Sequence, residues 1–342
     1  MKRLSCVIVT ALAALPVCGA AAPAPAAAPA AAPARDPIVH TFSIVARDSV
    51  TGDLGVAVQS HYFAVGPIVP WAEPGVGAVA TQSLVEVAYG PRGLSLMRAG
   101  RSAPDALAEL VAQDSGRAGR QVAMIDARGR VAAYSGPRCI PDAGHETGEQ
   151  FSVQANLMAN PRVWPEMASA YRKSRGDLPE RLLSALEAGQ AAGGDIRGQQ
   201  SAAILVVRGT ASERLWADRY LDLRVEDHPR PIDELRRLVT LWRAYRWVDR
   251  GDSAITANDA KTAAYAYGEA GRLAPENMEI VFWQAVGLVG VGRDEEALPL
   301  FKKVFARERQ WIDLVPRLTG KVGILPDDPK RIAKILEQAP AK

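Results

Sequence analysis

The chain has 342 residues, of which 48% are hydrophobic and 23% charged, and its formal net charge is +3. This composition is typical of a globular protein with a sizeable core, and the length allows two or three domains. Basic residues are interspersed with acidic ones, so the charge pattern argues against a nucleic-acid partner.

The N-terminus predicts export. Lys2 and Arg3 precede an apolar stretch over 4–17 that is too short for a stable membrane anchor, and small residues suited to signal-peptidase cleavage follow it. We predict a signal peptide over 1–22 and an Ala/Pro-rich linker over 23–38. A periplasmic or secreted location follows, with no transmembrane helix in the mature chain.

The cysteines fit this interpretation. Cys6 and Cys18 fall inside the predicted signal peptide, which leaves Cys139 alone and excludes an internal disulfide. Lipidation at Cys18 is the alternative to simple cleavage, although Val17 stands where a small residue is expected. Cys139 itself fits either a small buried side chain or a nucleophile.

Residues 39–228 are predicted to form a mixed domain. Short β-prone runs separated by turn residues predict strands at 41–46, 54–59, 76–81, 121–126, 131–135, 151–156, 201–207 and 215–225. Helical periodicity and N-cap signals, including Ser102, predict helices at 91–99, after 102, at 161–174 and at 178–192. The order of strands, two helices, strands, two helices and strands favours an α+β fold with antiparallel sheet.

Residues 232–342 are predicted to be helical only and to contain an internal repeat. The repeated positions, 34 residues apart, are Ala263, Tyr267 and Ala270, which reappear as Ala297, Phe301 and Val304. This spacing is the tetratricopeptide period. Because so few repeats bury their apolar faces poorly alone, we expect this region to pack on the mixed domain.

No cofactor or metal site is predicted. The third glycine of a dinucleotide fingerprint is missing after Gly77, and neither a phosphate-binding loop nor a His-Glu-x-x-His zinc motif is present. A carboxylate site formed by His145, Glu146 and Glu149 is a minor alternative.

Motifs in order along the mixed domain resemble an uncharacterised bacterial family, domain of unknown function 1028. They lie at 40–48, 55–58, 65–66, 69–72, 75–82, 89–94, 139, 143–145, 148 and 154–156. The resemblance covers roughly 40–225 and is specific only when the motifs are taken together. That family is grouped with the N-terminal nucleophile (Ntn) hydrolases, which implies a four-layer αββα sandwich and hydrolysis of an amide bond.

The resemblance places the nucleophile at Thr41. In that superfamily the first residue of the mature chain attacks the amide carbon and its own α-amino group accepts the proton. Strand alternation puts Ser43 beside Thr41 on one face, with Phe42 and Ile44 on the other. A free Thr41 amine requires a second cut, after His40. Because no lysine lies between Lys2 and Lys173, the base must be the terminal amine or another group.

Further candidates follow from polar residues at strand ends. The catalytic candidates are Thr41, Ser43, His145 and Asn156, and the substrate-binding candidates are Ser60, His61, Gln82 and Gln154. The side-chain amides of Gln82, Gln154 and Asn156 could donate hydrogen bonds to an oxyanion or could satisfy buried backbone groups. His145, in a glycine-flanked loop, could orient a substrate or have a structural role.

The leading functional hypothesis is an exported amidohydrolase acting on a small amide or peptide-like substrate. The alternative hypothesis is a non-catalytic binding protein on the same scaffold. A third hypothesis is an interaction adaptor built on the repeats. The helical region predicts a protein partner. Homo-oligomerisation stays open.

Overall fold

The computed structural model describes residues 38–340, so the predicted signal peptide, Cys18 and nearly all of the predicted linker lie outside the described residues. The strands are β1 (Ile38–Val39), β2 (Thr41–Arg47), β3 (Leu54–Ser60), β4 (Pro70–Glu73), β5 (Gly77–Leu84), β6 (Arg120–Asp126), β7 (Val131–Ser135), β8 (Gly144–Gly148), β9 (Phe151–Ala155), β10 (Ser201–Val207) and β11 (Leu221–Val225). The helices are α1 (Tyr89–Arg98), α2 (Ala103–Gln113), α3 (Val163–Lys173), α4 (Leu178–Ala191), α5 (Leu215–Asp218), α6 (Pro231–Thr256), α7 (Ala260–Leu273), α8 (Met278–Gly290), α9 (Asp294–Arg307) and α10 (Pro329–Leu336). The α+β prediction is confirmed.

Both sheets are antiparallel. The six-stranded sheet has the order β11-β10-β3-β2-β9-β8. The five-stranded sheet has the order β1-β5-β6-β7, with β4 also paired to β5. Strands β4 and β1 share one edge of β5: β4 lies along Gly77–Ala80, and β1 lies along Ser83 and Leu84.

Three apolar clusters hold this part of the chain. Valines of β2 and β3 pack against alanines and Ile125 of the five-stranded sheet, so the two sheets share one cluster. Phe42 and Ile44, on the opposite face of β2, pack under α3 and α4. Helices α1 and α2 cover the other side of the five-stranded sheet, around Met124. Residues of one strand therefore alternate between an inter-sheet face and a helix-covered face.

Helix starts follow the predicted chemistry. The Ser102 hydroxyl accepts a hydrogen bond from the Asp105 amide at 3.2 Å at the start of α2. Asp177 does the same for α4, accepting from the Glu180 amide at 3.1 Å. Gly193 and Gly194 follow α4 with φ values of 127° and 60°, and these left-handed conformations end the helix as predicted.

The C-terminal region is helical, and its repeat positions are equivalent in structure. Helices α7 and α9 each have 14 residues. The residues predicted to correspond are all buried in them: Ala263, Tyr267 and Ala270 in α7, and Ala297, Phe301 and Val304 in α9. The assignment to the tetratricopeptide class stays a prediction.

Helix α6 joins the two parts of the structure. Ile232, Leu235 and Val239 in its first half belong to the cluster under the six-stranded sheet. Ala244 and Val248 in its second half belong to a cluster with α7 and α8. The expected packing of the helical region on the mixed region is thus present, and a single helix contributes to both cores.

Several elements differ from the sequence predictions. Strands β1 and β4 are missing from those predictions, and 215–225 is not one strand. Its first part is the short helix α5, because Asp218 accepts hydrogen bonds from the Ser212 amide and hydroxyl at 2.7 and 2.9 Å and fixes a turn. His145 lies on strand β8 rather than in a loop, because β9 supplies a paired neighbour with His145 opposite Gln154.

Candidate active site

The chain passes from one sheet to the other at His40. Strand β1 belongs to the five-stranded sheet and β2 to the six-stranded sheet, so the single residue between them crosses the inter-sheet space. His40 is 3% exposed and Thr41 is 0% exposed. The peptide bond before Thr41 is therefore inside the fold, at the start of the central strand β2.

The carbonyl of that peptide bond has two strong donors. The Ser60 hydroxyl donates to the His40 carbonyl oxygen at 2.6 Å, and the Arg197 guanidinium donates to the same atom at 2.9 Å. Ser60 is placed by sheet register, directly opposite Thr41. Arg197 is held by two hydrogen bonds to the buried Asp195 carboxylate at 3.0 and 2.7 Å. A carbonyl with two such donors is polarised toward oxyanion character.

Thr41 and Ser43 share the inter-sheet face, as alternation predicts. The Thr41 hydroxyl donates to the Val39 carbonyl at 3.2 Å. The Ser43 hydroxyl donates to Gln82 Oε1 at 2.6 Å and accepts from Gln154 Nε2 at 2.6 Å. The Ser43 hydroxyl thus bridges the side-chain amides of Gln82 and Gln154, which belong to different sheets.

Gln121, on β6, is the centre of a buried amide network. Its Oε1 accepts from Gln82 Nε2 at 2.8 Å and from Asn156 Nδ2 at 2.9 Å. Its Nε2 donates to the Ala155 carbonyl at 2.9 Å and to Ser135 Oγ at 2.7 Å. Buried amides satisfied in this way fix each other's orientation and rigidify the site.

Asn156 connects this network to the crossover residue. Its Oδ1 lies 2.7 Å from His40 Nδ1, which makes this ring nitrogen the donor. Burial lowers the pKa of His40 below its ordinary value, and the Arg197 charge lowers it further, while the Asn156 hydrogen bond opposes both. The imidazole is therefore kept neutral near pH 7.

His145 lies at the outer end of the same network. Its Nδ1 is 2.9 Å from Ser135 Oγ, which in turn accepts from Gln121. Partial desolvation lowers the pKa of His145, although the residue as a whole is exposed. Its side-chain hydrogen bonds connect it to Thr41 indirectly, through Ser135, Gln121 and Gln82, so the structure separates this candidate from the others.

The backbone is strained beside two of the network amides. Ser83 and Leu157, which directly follow Gln82 and Asn156, have φ values of 76° and 58°. Non-glycine residues rarely adopt this left-handed conformation, and such strain clusters at functional sites. Ser83 is buried and lies opposite Val39 of β1, and the Cys139 thiol is a weak sulfur partner of its hydroxyl.

A surface cleft lies next to Ser60. It has a volume of about 360 Å³, and His61, Gln200 and His228 are among its lining residues. The Gln200 backbone N–H donates to the Ser60 backbone carbonyl at 3.2 Å, so the cleft reaches the end of β3. The His61 amide donates to Asp195 at 3.3 Å, and its ring nitrogen Nδ1 has no partner among the described residues.

Cys139 is poorly suited to act as a nucleophile. Burial raises the pKa of its thiol, so the reactive thiolate is disfavoured. Glu146, from the alternative carboxylate site, pairs with Arg172 at 2.6 Å. Within residues 38–340, no group of three or more His, Cys, Asp and Glu side chains is placed to hold a metal ion. Over that range, no helix is long and apolar enough to cross a membrane.

The structure brings most of the predicted site residues together and adds others. Thr41, Ser43, Gln82, Gln154 and Asn156 meet between the sheets, with Ser60 at the crossover carbonyl and His61 in the adjoining cleft. Sequence reasoning missed His40, Gln121, Asp195 and Arg197. Gln121 had a detectable signal, a glutamine opening a predicted strand, as Gln82 and Gln154 occupy strand ends. Arg197 had none.

The geometry defines an antiparallel α+β protein with a buried hydroxyl and amide site at the start of its central strand. A family model described as "Family of unknown function (DUF1028)" matches residues 41–235, more than half of the chain. A crystal structure of a DUF1028 protein from Silicibacter pomeroyi is 32% identical, with a TM-score of 0.53, and the match covers 58% of this chain and 84% of that one. No curated protein gives a significant match. The chain belongs to the DUF1028 family.

Proposed function

We propose that this protein is an exported amide hydrolase whose nucleophile is Thr41, released as an N-terminal residue when the chain cuts itself after His40. The observation that carries the proposal is the His40 carbonyl, held by Ser60 and Arg197 at 2.6 and 2.9 Å. This is the bond that must break to give Thr41 a free amine. Two facing sheets with helices outside them, and a family match that begins at Thr41, are in keeping with an Ntn-type αββα sandwich.

The cut is intramolecular because another protease cannot reach the bond. His40 and Thr41 are both buried, and β1, on the N-terminal side of the bond, pairs with β5. Proteases cleave extended, exposed chain, so cutting here from outside would require local unfolding.

The steps balance with one water. The Thr41 hydroxyl oxygen attacks the His40 carbonyl carbon, and the oxygen that becomes negative receives the Ser60 and Arg197 hydrogen bonds. The C–N bond then breaks, the hydroxyl proton ends on the Thr41 nitrogen, and an ester joins His40 to Thr41. Water hydrolyses the ester, which leaves a His40 carboxylate and a free Thr41 hydroxyl and amine.

The same groups then serve substrate hydrolysis. The Thr41 amine, whose unperturbed pKa lies near 7.7–8.0, takes the hydroxyl proton as the oxygen attacks a substrate amide. Ser60 and Arg197 stabilise the substrate oxyanion where they held the His40 carbonyl. The amide network keeps Ser43 and the start of β2 in place, and no lysine is required.

The test is the intact mass and N-terminal residue of the protein recovered from the envelope, with Thr41→Ala and Thr41→Ser beside it. We expect the wild type to begin at Thr41, the Thr41→Ala chain to retain the preceding residues, and Thr41→Ser to be cut. A wild-type chain that begins near residue 20 and stays so would overturn the proposal.

One observation favours a second candidate, a binding protein that is never cut. In the uncut chain Thr41 is fully buried and its hydroxyl donates to Val39. On this alternative, the amide network has a structural role and the tetratricopeptide-like helices bind a protein partner. The mass measurement separates the two candidates.

A further inference from the structure

The three residues before Thr41 occupy a defined track. Ile38 and Val39 pair antiparallel with Leu84 and Ser83, which extends the five-stranded sheet along the part of the β5 edge that β4 leaves free. Each residue of the track has a different environment. Ile38 is 55% exposed, whereas Val39 is fully buried in the cluster between the sheets.

The last residue of the track is held by side chain and backbone. The His40 imidazole donates to Asn156 Oδ1 at 2.7 Å, and its carbonyl accepts from Ser60 and Arg197. The chain is therefore fixed on both sides of the carbonyl that reacts. When this segment leaves after the cut, the β5 edge beside Ser83 becomes free. The space that Val39 filled and the Asn156 oxygen become free as well, and all three lie next to Thr41.

We propose that this track is the acyl-side binding site, and that the substrates are extended peptides that replace Ile38, Val39 and His40. This inference rests on the proposed function and names its substrate class. The substrate backbone adds a strand to β5 beside Ser83, as peptides do on exposed sheet edges. The residue before the scissile bond carries a hydrogen-bond donor for Asn156, the residue before that is apolar and β-branched, and the third position is open to solvent.

The unusual features of Ser83 fit this role. The residue is 1% exposed, the Cys139 thiol is a weak partner of its hydroxyl, and its left-handed backbone lies where the track meets the sheet edge. Strain is retained when the surrounding structure requires one particular conformation.

The experiment uses the mature protein beginning at Thr41 and three peptides ending in a fluorogenic aminocoumarin amide. The parent is acetyl-Ile-Val-His, and the matched variants place Asp at the Val position or at the Ile position. We expect kcat/KM to fall at least about 100-fold for Asp at the buried position, because an unpaired charge would be desolvated there. Asp at the exposed position should change it by less than about threefold.

A separate readout keeps the two proposals distinct. Acetylation of the Thr41 hydroxyl by p-nitrophenyl acetate, detected by mass on the N-terminal peptide as an ester that hydroxylamine removes, reports the nucleophile without the track. If Thr41 is acetylated but the parent peptide is not hydrolysed, or both Asp peptides react alike, the substrate assignment is wrong and the proposed function stands. If Thr41 is not free, or is free but its hydroxyl is not acetylated, both are overturned.

Discussion

The mixed region and the helical region are built on opposite principles. In the described residues, apart from tyrosines, every buried polar or charged side chain lies between His40 and Asp218, and none lies in the helical region after 230. The helical interior instead packs aromatic rings such as Phe282, Phe301 and Phe305. Burying polar groups is costly unless each is satisfied, so an apolar interior suffices where only stability is required. The polar interior marks where chemistry is expected.

The largest effect expected from a single change is in the helical interior. Phe301→Ala removes a fully buried ring that contacts Phe282 and Phe305, with centroids 5.6 and 5.7 Å apart. We expect the free energy of unfolding to fall by about 3–5 kcal/mol. Urea unfolding measures this loss, and Tyr265→Ala, at a 60% exposed ring, is the control with a much smaller effect. We expect the proposed cut after His40 in both variants, and its loss in folded Phe301→Ala protein would break the contrast between the regions.

The next effect is on the proposed cut after His40. Ser60→Ala removes one of the two donors to the His40 carbonyl, and we expect the rate of self-cleavage to fall by about 10²–10³. The measurement is the fraction of uncut chain against time after refolding. Ser201→Ala is the matched control, because Ser201 is buried directly opposite Ser60 but donates to Tyr62 at 2.6 Å. Equal slowing in both variants would mean that the effect is structural.

A smaller effect on the free energy of unfolding distinguishes buried side-chain amides that have hydrogen-bond partners from those that have none. Gln121→Leu leaves Gln82 Nε2 and Asn156 Nδ2 without the acceptor that now binds both, and we expect a loss of about 1–3 kcal/mol in the free energy of unfolding. Gln59→Leu is the comparison. Gln59 is fully buried, and neither of its amide atoms has a partner among the described residues, so its removal should be neutral or stabilising. If both substitutions lowered the free energy of unfolding equally, the hydrogen bonds of the network would add nothing beyond the packing volume of the side chain.

The smallest expected effect is a pH dependence from His40. Its folded pKa lies below the ordinary value of 6.5, so the unfolded chain binds more protons between the two pKa values. Stability therefore falls as the pH drops through about 6.5 and rises again with pH. In the uncut Thr41→Ala background, His40→Gln should reduce the loss of unfolding free energy between pH 7 and pH 5. His145→Gln, which removes the other histidine with a lowered pKa, tests whether the dependence belongs to His40 alone.

Local patterns predicted much of the fold. Alternation along 41–46 placed Thr41 and Ser43 on one face, and the structure has both between the sheets. The Ser102 cap and the end of α4 were also correct. The errors lie where a distant partner decides the conformation. The strand containing His145 forms because β9 lies beside it, and β1 forms because β5 has a free edge.

The sequence by itself determined which residues alternate, which helices begin at a cap, and which helical positions repeat after 34 residues, because these depend on near neighbours. The tertiary structure decided that Arg197 reaches a carbonyl 157 residues away, and that Gln82 and Gln121 from one sheet meet Ser43 and Asn156 from the other. No period along the chain encodes these contacts. They arise because two sheets pack face to face in one particular register.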